Sequence, residues 1–201
     1  MITDHRQHIL EVAAELFYKH GFRATGVDTV IAKAKVAKRT LYHHFSTKDD
    51  LIAAVLQMRQ EMWFAWIQTE LERRGGSPAD QLLTMFDVLH DSADGTFRGC
   101  IFFNAAIEFP RGTSAVRKMV RSDVEKTHGL VRDLAARAGA PDPERLAREL
   151  GLVRRGAIMT AVMTGEASPF LDARAAAAAL LEKHLPAMPA AARRVAALLP
   201  A

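Results

Sequence analysis

The 201 residues are 49% hydrophobic, 25% charged and 7% aromatic with a net charge of +4, which excludes a disordered chain and suits either one domain or a small head on a larger body. Alanine and leucine abound while alternating runs of Val, Ile and Thr are missing, so the expected fold class is all-α. Charged residues interrupt every apolar run before the roughly 18 residues a spanning helix needs, so no membrane span is expected; the lone Cys100 and the charged start of the chain make a reducing cytoplasm the expected location.

In chain order, Ile9, Ala13 and Leu16 with Leu10, Ala14 and Phe17 form one helical stripe over 6–20, and Gly21 supplies its stop. A second helix is expected over Val27–Ala34 and a third over Lys38–His44. Only Lys35, Val36 and Ala37 separate them, which is helix-turn-helix spacing. Ser46 and Asp49 match a capping box that starts a fourth helix, whose seam of Leu51, Val55, Met58, Met62 and Ala65 runs toward Gly75-Gly76. Residues 62–67 of that helix are apolar on every side, which predicts cover on more than one face.

Ser77-Pro78, Asp142-Pro143 and Ser168-Pro169 each place a capping side chain before a proline, so further helices are expected from near 78, 143 and 169. An apolar segment from Cys100 to Phe109 stops at Pro110, and a long helix is expected over Ser114–Ala138 before Gly139. The tail from Ala187 to Ala201 has helical spacing broken by Pro189 and Pro200, which leaves its order open. Two domains are expected, a head over 1–46 and a helical body over 47–201.

Charge is concentrated in the head. Between 19 and 48, Lys19, Arg23, Lys33, Lys35, Lys38, Arg39 and Lys48 face only Asp28, a candidate footprint for phosphates. In the third helix Leu41 and Phe45 share the inner face, leaving Lys38, Arg39, Thr40, Tyr42 and His43 outward. In a major groove Arg39 can bond bidentately to guanine and Thr40 can meet a thymine methyl, while Lys38, Tyr42 and Lys48 suit phosphates. The start of the second helix near Thr25 and Gly26 offers free backbone N–H groups to another phosphate.

Other chemistries find less support. His43 and His44 point about 100° apart on a helix and make no two-histidine metal face. The sequence holds no carboxylate pair, glycine-rich phosphate loop or His-x-x-x-His motif, so neither catalysis nor a cofactor is expected. Cys100 lies in an apolar segment where thiols are usually inert. A redox-sensing role for Cys100 and a non-specific architectural coat on DNA stand as alternatives.

The run Thr40-Leu41-Tyr42-His43-His44-Phe45-Ser46-Thr47-Lys48-Asp49-Asp50-Leu51 closely resembles the signature of the TetR family of bacterial repressors. The resemblance begins at Ile9-Leu10 and Phe17 and passes through Gly21-Phe22-Arg23-Ala24-Thr25-Gly26-Val27. Further on, Arg98-Gly99-Cys100-Ile101-Phe102-Phe103-Asn104-Ala105-Ala106-Ile107-Glu108 resembles a segment in the body of one branch of that family. The turn position that is usually glycine in the family is Lys35 here. A lysine in a left-handed turn costs about 1 kcal/mol and adds a charge beside the groove.

The resemblance implies a homodimeric repressor on a double-stranded, pseudo-palindromic operator, with Tyr42 at the phosphate backbone and release by an unknown small-molecule effector. It implies an effector pocket, for which Met62, Trp63, Trp66, Met85, Phe86, Leu89, Phe103, Ile107 and Met119 are apolar candidates and His90, Asn104, Glu108 and Asp123 polar ones. It also implies that the last two long helices pair with their copies. The expected seam is Leu146, Leu150, Val153, Ala157 and Ala161, completed by Phe170, Ala176 and Leu180. Effector binding is expected to tilt the helix that begins near Ser46.

Overall fold

The computed structural model describes residues 5–93, 95–110 and 114–185; the tail from Ala187 lies outside them. The described residues form nine helices: α1 (His5–His20), α2 (Val27–Ala34), α3 (Lys38–His44), α4 (Lys48–Arg74), α5 (Pro78–Ser92), α6 (Ile101–Glu108), α7 (Ala115–Arg137), α8 (Pro143–Thr164) and α9 (Ser168–His184). They belong to two compact units, one combining Met1–Phe64 with Cys100–Val124 and the other combining Ala65–Gly99 with Glu125–Ala201.

The first unit is built on the apolar stripes of its short helices. Ile9, Leu10, Ala13 and Phe17 of α1 meet Val30 and Ala34 of α2, Leu41 of α3 and the α4 residues Leu51, Ile52, Val55 and Leu56. Ile101, Phe102 and Ala105 of α6 and Val116 and Val120 of α7 belong to the same core. The head is therefore not a free-standing bundle: it shares its interior with a segment some fifty residues beyond it in the chain.

In the second unit α9 packs against both α5 and α8. Leu82 of α5, Leu146 and Leu150 of α8, and Phe170, Ala177 and Leu181 of α9 are all buried there. The Phe97 ring stands edge-on to Phe170 at 5.9 Å. Arg174 of α9 reaches Asp87 of α5 at 2.7 Å, and Arg74 of α4 reaches Asp91 of α5 at 2.8 Å.

Helix starts follow the proline and capping signals, with two shifts. Ser77 and Asp80 form a complete capping box at α5, and the Asp142 carboxylate accepts from Arg145 N–H at α8. At α4 the capping pair is Thr47 with Asp50, one residue beyond the expected Ser46 and Asp49. Phe45 is held in the core in an extended conformation, and both Ser46 and Thr47 are used to reverse the chain before Leu51 and Ile52 return to that core. At α9 the helix starts at Ser168 itself, because the Ser168 hydroxyl donates to Glu166 at 3.0 Å and does not cap.

The expectation that 62–67 is covered on more than one side is corrected. Ile67 is buried, but Met62 and Trp66, four apart on one face of α4, remain 55% and 40% exposed.

Candidate nucleic-acid interface

The turn between α2 and α3 is built at Lys35, which takes a left-handed conformation with φ 54° and ψ 40°. The Val36 N–H returns to Ile31 O at 3.4 Å, closing α2 before Ala37 opens α3 in extended backbone. Leu41 and Phe45 then anchor α3 at 1% and 3% exposure. With that inner face committed, Lys38, Arg39, Tyr42 and His43 are exposed and Thr40 is half-buried. Lys38 Nζ lies 3.4 Å from Asp28, a long pair between two well-exposed side chains, which leaves the cation available to a phosphate.

The start of α2 divides the two residues expected there. Gly26 is the N-cap, is exposed and makes no side-chain cap to the first N–H groups of the helix, which leaves that positive end suited to an anion. Thr25, by contrast, is 3% exposed. Its hydroxyl lies 2.8 Å from Gly21 O and 3.3 Å from Leu16 O, donating back to the end of α1, so its side chain holds the loop from inside. Lys48 is the first residue of α4, half-buried, with Nζ 3.4 Å from the Arg23 carbonyl.

Two residues at this site are not expected here from the sequence, which offers Glu108 as a pocket candidate and gives Arg6 no role. Glu108, at the end of α6, accepts from Phe22 N–H at 3.0 Å and from Arg23 N–H at 2.7 Å. A partner 86 positions away leaves no trace in local spacing. Arg6 of α1 places its guanidinium 5.5 Å over the Phe45 ring, beside the end of α3.

The pocket candidates fall into both units. Met62, Trp63, Phe103, Asn104, Ile107, Glu108, Met119 and Asp123 belong to the first, and Trp66, Met85, Phe86, Leu89 and His90 to the second. Met85, Phe86, Leu89 and Asp123 are buried; Trp63, His90, Phe103, Asn104, Glu108 and Met119 are half-buried; Ile107 is 66% exposed. Within the second unit a cleft of about 130 Å³ is lined by Ala93, Gly95, Phe97, Ala161, Gly165 and Glu166, none of them a pocket candidate.

The seam candidates mostly point into their own chain. Leu146, Leu150, Ala157, Ala161 and Phe170 are buried within the second unit, Val153 and Leu180 are half-buried, and Ala176 is exposed. The apolar surface of α8 is instead Leu152, Met159, Val162 and Met163, at 65%, 39%, 42% and 79% exposure, with the exposed Gly156 among them. Burial pushes the Arg155 guanidinium on α8 below its ordinary range, and the charge on Arg154 adds to the shift.

Comparison with known proteins agrees with this architecture. Residues 9–55 match the family model for bacterial regulatory proteins of the tetR family, and residues 78–177 match the tetracyclin repressor-like C-terminal domain. A TetR-family transcriptional regulator from Streptomyces coelicolor superposes with a TM-score of 0.83 at 27% identity, covering 90% of this chain and 95% of that one. The transcriptional repressor DhaR of Mycobacterium sp. is 29% identical over 57% of this chain and 57% of its own length. The regulator QacR of Staphylococcus aureus is 36% identical over 29% of this chain and 31% of its own. These last two matches thus span well under two thirds of the relatives concerned. With a helix-turn-helix head, an all-helical body and both family domains matched in order, the chain belongs to the TetR family of helix-turn-helix transcriptional regulators.

Proposed function

We propose that the chain is a sequence-specific repressor that binds a pseudo-palindromic operator as a homodimer and releases it when a small molecule binds. The observation that carries this reading is α3 itself. Its two large apolar residues are locked in the core while Lys38, Arg39, Tyr42 and His43 are exposed on the other side, the arrangement a groove-reading helix needs. The uncapped start of α2 and Lys48 at the start of α4 supply anion contacts that position α3 without reading sequence.

Dimerisation uses the exposed apolar face of α8, Leu152, Met159 and Met163, with Gly156 allowing close approach. Two heads are then available for half-sites about 34 Å apart. The effector contacts half-buried side chains of α6 and α7, with Phe103 and Met119 as apolar walls and Asn104 as a polar one. Release by a hundredfold loss of DNA affinity requires about 2.7 kcal/mol of coupling. The repressing direction draws support from the name of DhaR.

Selection of bound fragments from random DNA tests the reading. A symmetric motif with two half-sites, held against a large excess of random duplex, is the expected result. Binding that random duplex removes completely would make the protein a non-specific coat instead.

A further inference from the structure

We propose that Glu108 is the positioning residue through which the end of α6 sets the α1–α2 loop, and with it the phosphate-facing start of α2. The inference rests on reading α2 and α3 as the DNA-contacting helices.

The Glu108 carboxylate divides its two oxygens between consecutive backbone donors, Phe22 N–H on Oε1 and Arg23 N–H on Oε2. These donors follow Gly21, whose own N–H makes the last bond of α1, to Phe17 O at 2.9 Å. Bonds to a carboxylate are shorter and stronger than neutral ones, and two of them on adjacent residues fix the direction of the peptide between them. Gly21 suits the latch twice over. Its φ is +87°, and a Cβ there would stand 3.1 Å from Glu108 Oε1.

The rest of the loop is tied as tightly. The Thr25 hydroxyl returns to Gly21 O at 2.8 Å, and the Arg23 guanidinium lies 5.9 Å over the ring of Phe109, the residue after Glu108. Lys48 Nζ lies 3.4 Å from Arg23 O. Four residues separate Gly21 from Gly26, the N-cap of α2. The chain from carboxylate to phosphate site is therefore short and has little slack. Because α6 is rooted in the head's core through Ile101, Phe102 and Ala105, its last residue can hold the loop in register.

Full-length Glu108→Ala and Glu108→Gln proteins test this against the duplex that the wild type selects, with amide exchange followed in parallel. In the Ala variant Phe22 and Arg23 are expected to exchange freely while Leu41 and Val55 stay protected, and affinity for the duplex is expected to fall about tenfold, the scale of losing hydrogen bonds to a charged group. The Gln variant keeps one carbonyl acceptor at the same reach and is expected to fall between. Undiminished affinity with exposed Phe22 and Arg23 amides would overturn the positioning role. Protected amides in the Ala variant would overturn the latch itself. If the Ala variant does not fold, the Gln variant carries both measurements. A wild-type protein that selects no duplex would sink the DNA-binding reading, and the exchange measurement would then still decide the latch.

Discussion

His184 Nε2 lies 2.8 Å from Glu149 Oε2 and so joins the end of α9 to α8, while Arg145 donates to the other oxygen at 2.9 Å. Arg145 first, and His184 after it, hold the Glu149 carboxyl below its ordinary value of 4.5. A carboxylate with a depressed folded-state value contributes stability that is present above the unfolded value and lost as pH falls through the folded one. Glu149→Gln is therefore expected to lower the melting temperature at neutral pH, and the gap to wild type should narrow as pH falls below the ordinary carboxylate value and close only below the depressed folded-state value. Thermal melts of both proteins across that range check it; a gap that persists in acid would show that the carboxylate charge is not the cause.

Arg39 and Lys48 should separate reading from anchoring. Arg39 is exposed on α3, so Arg39→Ala is expected to relax base preference at one position in each half-site and cost about 1–3 kcal/mol. Lys48 stands at the start of α4, so Lys48→Ala is expected to weaken all duplexes alike and to flatten the salt dependence by about one phosphate contact. Binding titrations over a salt series with the selected motif and its single-base variants measure both. Altered sequence preference from Lys48→Ala and none from Arg39→Ala would reverse the assignment.

Lys35 holds its left-handed conformation against the steric preference of any side chain with a Cβ. Lys35→Gly is expected to stabilise the protein by about 1 kcal/mol, seen as a higher urea midpoint at unchanged slope. Removing the charge should also weaken every duplex slightly. A midpoint that falls would mean the turn costs lysine nothing.

The two faces of α8 predict opposite phenotypes. Leu152→Glu with Met163→Glu is expected to leave the fold intact and give monomers in sedimentation, with weakened binding to the two-half-site operator. Leu150→Ala removes a side chain buried within the chain and is expected to cost about 2–5 kcal/mol of stability while the folded protein keeps its oligomeric state. Dimers surviving the double glutamate substitution would place the interface elsewhere.

Helix α3 was legible from end to end. The bounds of α2 and α3 and the inward Leu41 and Phe45 follow from helical periodicity, which neighbours within four residues settle among themselves, whereas the left-handed turn at Lys35 is suggested only by the family resemblance. The family signature over 40–51 lies in the same local stretch. Where two local solutions compete, the sequence cannot choose. Ser46 with Asp49 and Thr47 with Asp50 both spell a capping box, and only the anchoring of Phe45 and the return of Leu51 to one core select the second. An apolar stripe likewise states that side chains are buried and not against what. Leu146, Leu150 and Ala161 read as a seam for another molecule until the packing of α5, α8 and α9 claims them, which leaves the surface to Leu152 and Met163. Glu108 is the extreme case, because a carboxylate 86 residues away from Phe22 acquires its partners only when folding brings the segments together.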